Sequence, residues 1–307
     1  MIDRAALDAR GNLVGIAAML ASMAAFVAND TCVKLIGNTL PVGELIALRN
    51  TAATLYILIF AAIFGGLTLP RNPPTRILGW RMVAEFFSTL FFLSGLVLLP
   101  IAEATAIGQF TPIAITAAAA LFLKEHIGWR RWLATVFGLV GVLLIIRPGT
   151  AAYSPAALLV LIAVGFIVVR DLATRAISQD VPTLTLTAMS ASVSIFSGVV
   201  LWPFETWVIP TAYQGMLLLM AAMFLTVAYA LIVIAMRHGD VGLVSPFRYA
   251  VIVFAILSGW VFWGTLPDGY QFVGIAVLTA AGLYTFHRER QLHIARSLRP
   301  SPHDIGA

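Results

Sequence analysis

Apolar residues run along the chain in long blocks, each separated from the next by a short polar break. Ten blocks are about 20 residues long, the length a helix needs to cross a hydrocarbon layer about 30 Å thick. A backbone inside a bilayer must satisfy its own hydrogen bonds, so each block predicts a transmembrane helix. The predicted spans cover residues 13–37, 43–66, 77–99, 102–123, 128–147, 155–175, 183–203, 212–236, 241–263 and 268–287.

The breaks between the blocks carry residues that are typical of turns. Arg147-Pro-Gly149 and Pro267-Asp-Gly269 are two examples. Most connections are too short to fold independently, so no soluble domain is expected. Residues 1–12 are predicted to form a short cytoplasmic N-terminus. Residues 289–307 are predicted to form a cytoplasmic tail, and the chain from Arg288 onwards is expected to be disordered.

The two halves of the chain repeat one pattern. An acid, a base four positions later and a proline seven positions beyond that occur twice, at an offset of 141 residues: Asp30, Lys34 and Pro41, then Asp171, Arg175 and Pro182. Further matches at an offset of 140 include Phe122 with Phe262. We therefore predict two five-span repeats, over residues 13–147 and 154–288. Because five is an odd number, the two repeats must enter the membrane in opposite directions.

Composition supports an all-α integral membrane protein. The chain is 60% hydrophobic and 11% charged, with a mean hydropathy of +0.95, whereas soluble domains are about 25% charged. The net charge of +5 arises from bases scattered singly at the ends of apolar blocks. This pattern is typical of cytoplasmic loops and argues against nucleic-acid binding. A single cysteine, Cys32, excludes an internal disulfide and a Cys-rich metal site.

The distribution of Lys and Arg predicts the orientation. If the N-terminus is cytoplasmic, 15 of these residues lie inside, whereas the outside holds little more than Lys34 and Arg147. Positive charge favours the cytoplasmic side. We therefore predict a multi-pass protein of the inner (plasma) membrane with both termini in the cytoplasm.

The layout resembles the drug/metabolite transporter superfamily, in its EamA branch. The resemblance rests on ten spans in two five-helix units, short loops, Pro112 ahead of Lys124-Glu125 at the end of the fourth span, and glycines Gly138 and Gly141 in the fifth. It covers about residues 13–288. Overall layout and length are most similar to the YddG-type bacterial exporters of amino acids.

The second half departs from the family pattern. Thr265 stands where the first half has Glu125, and Ile252 stands where it has Pro112. No role assigned to Glu125 therefore extends to both copies.

The resemblance implies a secondary transporter that exports amino acids, aromatic ones included, and related small metabolites by alternating access. Inverted repeats are the usual construction of such carriers, with the substrate bound between the halves near the midplane. The expected partners are a small-molecule substrate and the lipid bilayer, with no nucleic acid and no cofactor, and a monomer is the expected oligomeric state. No GxxxxGK[ST] phosphate loop occurs in the sequence.

Two other functions are compatible with the layout. A drug or nucleotide-sugar carrier of the same superfamily is the first. The second is a membrane-embedded lipid-modifying enzyme, which needs clustered catalytic carboxylates or histidines within the spans. All five histidines fall in predicted loops or the tail, so catalysis and metal binding have no visible site.

Charged groups inside a membrane cost about 2.5–3.5 kcal/mol each to insert, which makes them functional candidates. Arg49 and Arg248 have no acid three or four positions away on their own helix. Each needs a partner from another helix, Asp30 for Arg49 and Glu85 or Asp171 for Arg248, or a substrate carboxylate. With nearby polar and aromatic residues, the predicted substrate-binding set is Phe26, Asn29, Arg49, Glu85, Phe86, Thr89, Gln109, Arg248 and Tyr249.

Local ion pairs on single helices are the structural alternative for the acids. They are Asp30 with Lys34, Asp171 with Arg175, and Glu85 with Arg81, all at a spacing of four residues. Glycine and proline in the fourth and ninth spans, namely Gly108, Pro112 and Pro246, are expected to loosen those helices beside a cavity.

Overall fold

The computed structural model describes residues 4–64, 66–68, 74–122, 128–177, 181–238 and 240–297. All regular structure in these ranges is helical. Two 3₁₀ turns, Trp202–Phe204 and Ser245–Tyr249, accompany the α-helices. In chain order the α-helices are α1 (Arg4–Ile36), α2 (Val42–Phe64), α3 (Thr75–Leu98), α4 (Ile101–Gly108), α5 (Thr111–Phe122), α6 (Trp129–Ile146), α7 (Ala156–Ala176), α8 (Thr183–Val199), α9 (Ala212–His238), α10 (Val241–Val244), α11 (Ala250–Trp263) and α12 (Gly269–Ser297).

Ten segments of the described chain are long and apolar enough to cross a membrane, which confirms the prediction. They are Gly11–Ile36, Val42–Ile63, Thr75–Leu98, Ile101–Phe122, Trp129–Ile146, Ala156–Ala176, Leu184–Phe204, Ala212–His238, Ser245–Trp263 and Gly269–Arg288. The fourth segment combines α4 and α5. The ninth combines a 3₁₀ turn and α11. Lys124 and Glu125, which carry part of the family resemblance, lie outside the described residues.

The expectation of a disordered tail from Arg288 is wrong for its first ten residues, because α12 continues to Ser297. Seven of the ten residues in the segment RERQLHIARS are Arg, Glu, Gln, Leu or Ala, which favour helix, and the first proline after it is Pro300. Residues 298–307 lie outside the described part of the chain.

The packing between helices is the same when the two halves are exchanged. Helix α1 packs along α9, and the equivalent pair in the other half is α7 with α3, which also pack together. Helices α2 and α6 each pack against their own equivalents, α8 and α12. Such a pattern requires a two-fold relation between the halves. With five spans in each half, the chain forms two inverted five-helix repeats.

Glycines let these equivalent helices approach closely. A Cβ added at Gly141 on α6 would lie 2.8 Å from the carbonyl oxygen of Gly274 on α12. In the α2–α8 pair, a Cβ added at Gly198 would collide with the Gly43 carbonyl oxygen and the Ala47 nitrogen. Small residues at helix interfaces are the usual means of packing inside a bilayer.

The fourth and ninth spans are interrupted at equivalent positions. Helix α4 ends at Gly108 and α5 begins at Thr111, while the ninth span starts with the 3₁₀ turn Ser245–Tyr249. At the offset of 140, Gly108 is equivalent to Arg248. The absence of an N–H in proline and the missing side chain of glycine explain why the helices break here. Interrupted spans at matching positions of two repeats point to the substrate site of a carrier.

Candidate functional site

A cavity of about 520 Å³ lies between the two halves, and helices of both halves line it. This volume is in the range of about 300–1,000 Å³ that is typical of small-molecule sites. We call the side of the bundle where α1 begins the terminal face, and the other side the opposite face. Since successive spans alternate in direction, Arg81, Asp171 and Arg248 lie towards the terminal face. Asp30 and Arg49 lie towards the opposite face.

The cavity brings together seven of the nine residues in the predicted binding set. They are Phe26, Asn29, Arg49, Glu85, Thr89, Gln109 and Arg248. Their substrate contacts stay a prediction. The other two, Phe86 and Tyr249, are not among the residues that line the cavity.

Phe86 and Tyr249 point away from the cavity because of their neighbours in the chain. Phe86 follows Glu85, and a step of one residue on a helix rotates the side chain by about 100°. Its ring packs 5.1 Å from that of Phe87, at a separate shallow groove. Tyr249 follows the cavity-lining Arg248, is buried in the core, and has its ring end against Gly282 of α12.

At the terminal end of the cavity, charged groups of α3 and α7 join the two halves. The Arg170 guanidinium lies 3.6 Å from the Glu85 carboxylate, and its Nε donates to Asp171 Oδ1 at 2.8 Å. Arg81 instead donates to two hydroxyls, Thr174 Oγ1 at 2.9 Å and Ser190 Oγ at 2.7 Å. The local pair of Glu85 with Arg81 is therefore not formed, because Arg170 of the other half takes its place.

Arg248 has no hydrogen-bond or ion-pair partner within the described part of the chain, and its side chain is exposed in the cavity. Asp171 is the leading opposite charge acting on it. The expected ion pair with Glu85 or Asp171 is absent, since both carboxylates contact Arg170. A guanidinium with free donors therefore faces the interior of the cavity.

At the opposite end, polar residues of α1 and α2 form a second cluster. Asn29 Nδ2 donates to Asp30 Oδ1 at 2.8 Å, and Arg49 Nη2 donates to Asn50 Oδ1 at 3.3 Å. Asp30 is the leading opposite charge acting on Arg49, yet no ion pair within 4.0 Å joins these two described residues. The local pair of Asp30 with Lys34 is also wrong. The Lys34 ammonium donates to the last carbonyl groups around the end of α3, those of Leu96, Val97 and Leu99.

Three buried polar atoms at this end have no partner in the described part of the chain: Asn29 Oδ1, Arg49 Nε and Thr105 Oγ1. The three residues are only 2%, 6% and 5% exposed. An unpaired buried polar group costs about 1–3 kcal/mol. The opposite end therefore carries polar groups that a bound molecule could satisfy.

An aromatic wall stands between the two polar ends. The rings of Phe26 and Tyr229 meet edge to face with centroids 5.3 Å apart, and Phe92 also lines the cavity. Tyr229 is 42% exposed. Such a wall can pack against an apolar or aromatic part of a substrate, while the polar ends fix its orientation.

The opposite face is closed by hydrogen bonds between the halves. Glu205 accepts from the Gly43 N–H at 2.9 Å, and Glu44 accepts from the Val208 N–H at 2.9 Å. Farther out on this face, Arg147 and Asp268 form an ion pair at 2.6 Å. The hydrogen bond from the Gln271 backbone N–H, followed by the contact with Arg147, lowers the pKa of Asp268.

The terminal end is the more open of the two. Thr174 and Arg248 are exposed there, whereas Asn29 and Arg49 at the opposite end are buried. The cavity is thus accessible from the terminal face and closed towards the opposite face.

Several cavity residues fall outside the predicted set: Asp30, Arg81, Thr105, Arg170 and Asp171. The sequence contained a signal for two of them, because Asp30 and Asp171 occupy the same position in the two repeats. The same offset relates Asn29 to Arg170. Thr105 gives no such signal, because hydroxyl side chains occur throughout the spans. Within the described residues, no group of three or more His, Cys, Asp and Glu side chains could hold a metal ion.

The chain was compared with known proteins. The model of the EamA-like transporter family matches residues 13–147 and again residues 154–286. An S-adenosylmethionine uptake transporter of Rickettsia bellii is 26% identical over 282 residues, which cover 91% of this chain and 95% of that protein. A riboflavin transporter of Rhizobium johnstonii is 28% identical over 239 residues, with 77% and 78% covered.

A pseudopaline exporter of Pseudomonas aeruginosa is 26% identical over 276 residues, which cover 86% of this chain and 92% of that protein. A solved crystal structure of another protein has a TM-score of 0.61 and 21% sequence identity. The match covers 90% of this chain and 97% of that chain. The likeness to that structure shows the fold alone.

Proposed function

The chain belongs to the EamA-like transporter family, and we propose that it carries amino acids and amino-acid-derived metabolites by alternating access. Family membership makes it a secondary transporter of small metabolites rather than an enzyme. The relatives include both uptake transporters and an exporter. Outward movement across the inner membrane is part of the proposal and follows the resemblance to bacterial exporters. The placement of both termini in the cytoplasm is also proposed, and it rests on the charge distribution of the loops.

One observation supports an amino-acid substrate above the others. Arg248 presents an unpaired guanidinium to a cavity that also has an aromatic wall. Guanidinium groups bind carboxylates through paired, charge-assisted hydrogen bonds. In this proposal Arg248 receives the substrate carboxylate at the open end, and Phe26 and Tyr229 pack against the side chain. S-adenosylmethionine, the substrate named for one relative, itself contains an α-amino-acid group.

Flux through purified protein in liposomes tests this proposal. Vesicles loaded with labelled L-phenylalanine or S-adenosylmethionine should release the label faster than protein-free vesicles, and unlabelled compound outside should accelerate exchange. Absence of flux for both compounds would contradict the proposal.

Competition by cationic drugs or nucleotide sugars separates the alternative substrates of the superfamily. If those compounds abolish release at concentrations at which amino acids do not, the amino-acid assignment is wrong. Measuring release and uptake separately, with the terminal face on a known side, tests the proposed direction.

A further inference from the structure

The closed, opposite end of the cavity has donors and acceptors that the protein itself leaves unused. Asn29 donates to Asp30 Oδ1 through its amide nitrogen, at 2.8 Å. Asn29 Oδ1 therefore points elsewhere and stays an unpaired acceptor. Thr105 Oγ1 on α4 is a second unpaired oxygen, and Arg49 Nε on α2 is an unpaired donor. All three residues line the same cavity.

Arg49 and Asp30 at this end carry opposite charges but do not form an ion pair. Arg49 and Asp30 act on each other electrostatically, yet no contact within 4.0 Å joins them. Arg49 donates one hydrogen bond to Asn50. Within the described residues, Asp30 accepts a hydrogen bond only from Asn29. A ligand with both charges on neighbouring atoms could bridge the gap. A ligand with one charge could satisfy only one side.

We propose that the opposite end of the cavity is a subsite for an α-amino-acid head group. In it Arg49 holds the carboxylate, and Asp30, Asn29 and Thr105 hold the ammonium. An ammonium has three N–H donors, and this end offers one oxygen from each of these three side chains. The carboxylate matches the planar fork of a guanidinium. This inference rests on the proposed function and deepens it by assigning the zwitterion, rather than a simple anion or cation, as the recognised chemistry.

The subsite is occupied only after a movement of the protein. Asn29 Oδ1, Arg49 Nε and Thr105 Oγ1 each have less than 1 Å² of accessible area, so the head group reaches them when the opposite end widens. Arg248 at the open end meets the substrate first, and Arg49 holds it in the state that leads to release. The two arginines therefore act in sequence on the same carboxylate.

Binding of matched ligands to the full-length protein in lipid nanodiscs tests the subsite by titration calorimetry. The first series is L-phenylalanine, phenethylamine without the carboxylate, and 3-phenylpropionate without the ammonium. The second is S-adenosylmethionine, its decarboxylated form and 5′-methylthioadenosine. In whichever series the parent binds, we expect it to bind at least about tenfold more tightly than either analogue, since each analogue leaves charged partners unpaired.

Two substitutions should remove the two halves of the recognition separately. Asp30→Asn should weaken L-phenylalanine and phenethylamine by about tenfold but leave 3-phenylpropionate within about threefold. Arg49→Gln should have the reverse selectivity. Thr105→Val, which keeps the side-chain shape, should weaken the ammonium-bearing ligands alone. Asp240→Asn, at the surface outside the cavity, is the matched control and should change none of the constants.

The outcomes distinguish the subsite from the proposed function. If L-phenylalanine is transported but binds no better than its analogues, or the variants weaken all three ligands equally, the subsite is wrong and the function stands. If neither parent compound binds or is transported, both fail. Monodisperse elution of each variant on size exclusion shows that it is folded. If Asp30→Asn does not fold, Thr105→Val tests the ammonium side of the subsite in its place.

Discussion

Asn29 and Asp30 at the opposite end of the cavity occupy the same repeat positions as Arg170 and Asp171 at the terminal end. In both pairs the first residue donates to the aspartate at 2.8 Å. Their surroundings differ. The Asp171 side chain is 36% exposed and stands in a network of arginines and hydroxyls. Asp30 lies beside buried atoms that have no partner.

This difference shows what one conformation of an inverted repeat looks like. The same local motif is open at one end and closed at the other, because the halves have separated at the terminal face and met at the opposite face. Exchange of the two local conformations would open the opposite face and close the terminal one. In the proposed alternating access, the equivalent positions of the two repeats exchange their open and closed conformations.

Removing the guanidinium of Arg248 at the open end of the cavity should have the largest effect on transport. Arg248→Ala is expected to lower amino-acid flux in liposomes by at least about tenfold. A change of this size corresponds to the free energy of one charge-assisted hydrogen bond. Its melting temperature should stay close to that of the unmodified protein, because no described residue loses a partner. Arg248→Lys, which keeps the charge without the fork, should retain part of the flux. Flux unchanged in Arg248→Ala would remove this residue from the substrate path.

Replacing the residue that donates a hydrogen bond to each aspartate compares the two ends of the cavity directly. Arg170→Gln leaves the buried Glu85 without its cation, so we expect a loss of about 2–4 kcal/mol in the free energy of unfolding. Asn29→Ala removes one neutral donor from Asp30 and should cost about 1 kcal/mol. Melting curves of both variants in detergent provide the measurement. Equal losses would mean that the two motifs contribute alike to stability, against the observed difference in their partners.

Enlarging the α2–α8 contact should disturb the closed face. Gly198→Ala places a Cβ against Gly43 and Ala47, and overpacking of this kind costs about 1–3 kcal/mol. Gly165→Ala on α7 is the matched control, since nothing lies within 4 Å of the added atom. That control should be neutral or slightly stabilising, because alanine favours helix. A melting temperature that falls as much for Gly165→Ala would contradict the role of the contact.

The ion pair on the closed face should give the smallest effect, and it depends on pH. The pKa of Asp268 is lowered in the folded protein, so its contribution is present above the ordinary aspartate pKa of about 3.9. This contribution is lost as the pH falls through the lowered value. An exposed pair contributes at most about 1 kcal/mol. Asp268→Asn should therefore lower the melting temperature slightly at neutral pH, and the difference should disappear in acid. A difference that grows in acid would reverse the assigned sign.

The fold was predictable because its signals are local. Apolar blocks of membrane length set the ten spans, and the recurrence of Asp30 as Asp171 revealed the duplication. Gly108, Pro112 and Pro246 marked the two interrupted spans, since their effects on a helix do not depend on distant residues.

The details of the site depend on how the halves meet, which no local pattern encodes. Glu85 pairs with Arg170 rather than Arg81 because α3 and α7 pack at a depth that brings these side chains together. Lys34 was expected to pair along its helix with Asp30, but the carbonyl groups at the end of α3 lie within its reach. Phe86 and Glu85 are neighbours in sequence and face different surroundings, because only the rotation of α3 decides which side chain reaches the cavity.

Cysteine labelling at two equivalent positions tests the exchange of conformations most directly. Thr174 is exposed at the terminal end, whereas its repeat equivalent Val33 is fully buried. In a Cys32→Ser background, Thr174→Cys in nanodiscs should react rapidly with a polar maleimide and Val33→Cys should not. Saturating substrate should slow the first reaction and accelerate the second. Rates that are equal at the two positions, or that both fall with substrate, would contradict alternating access by exchange between the repeats.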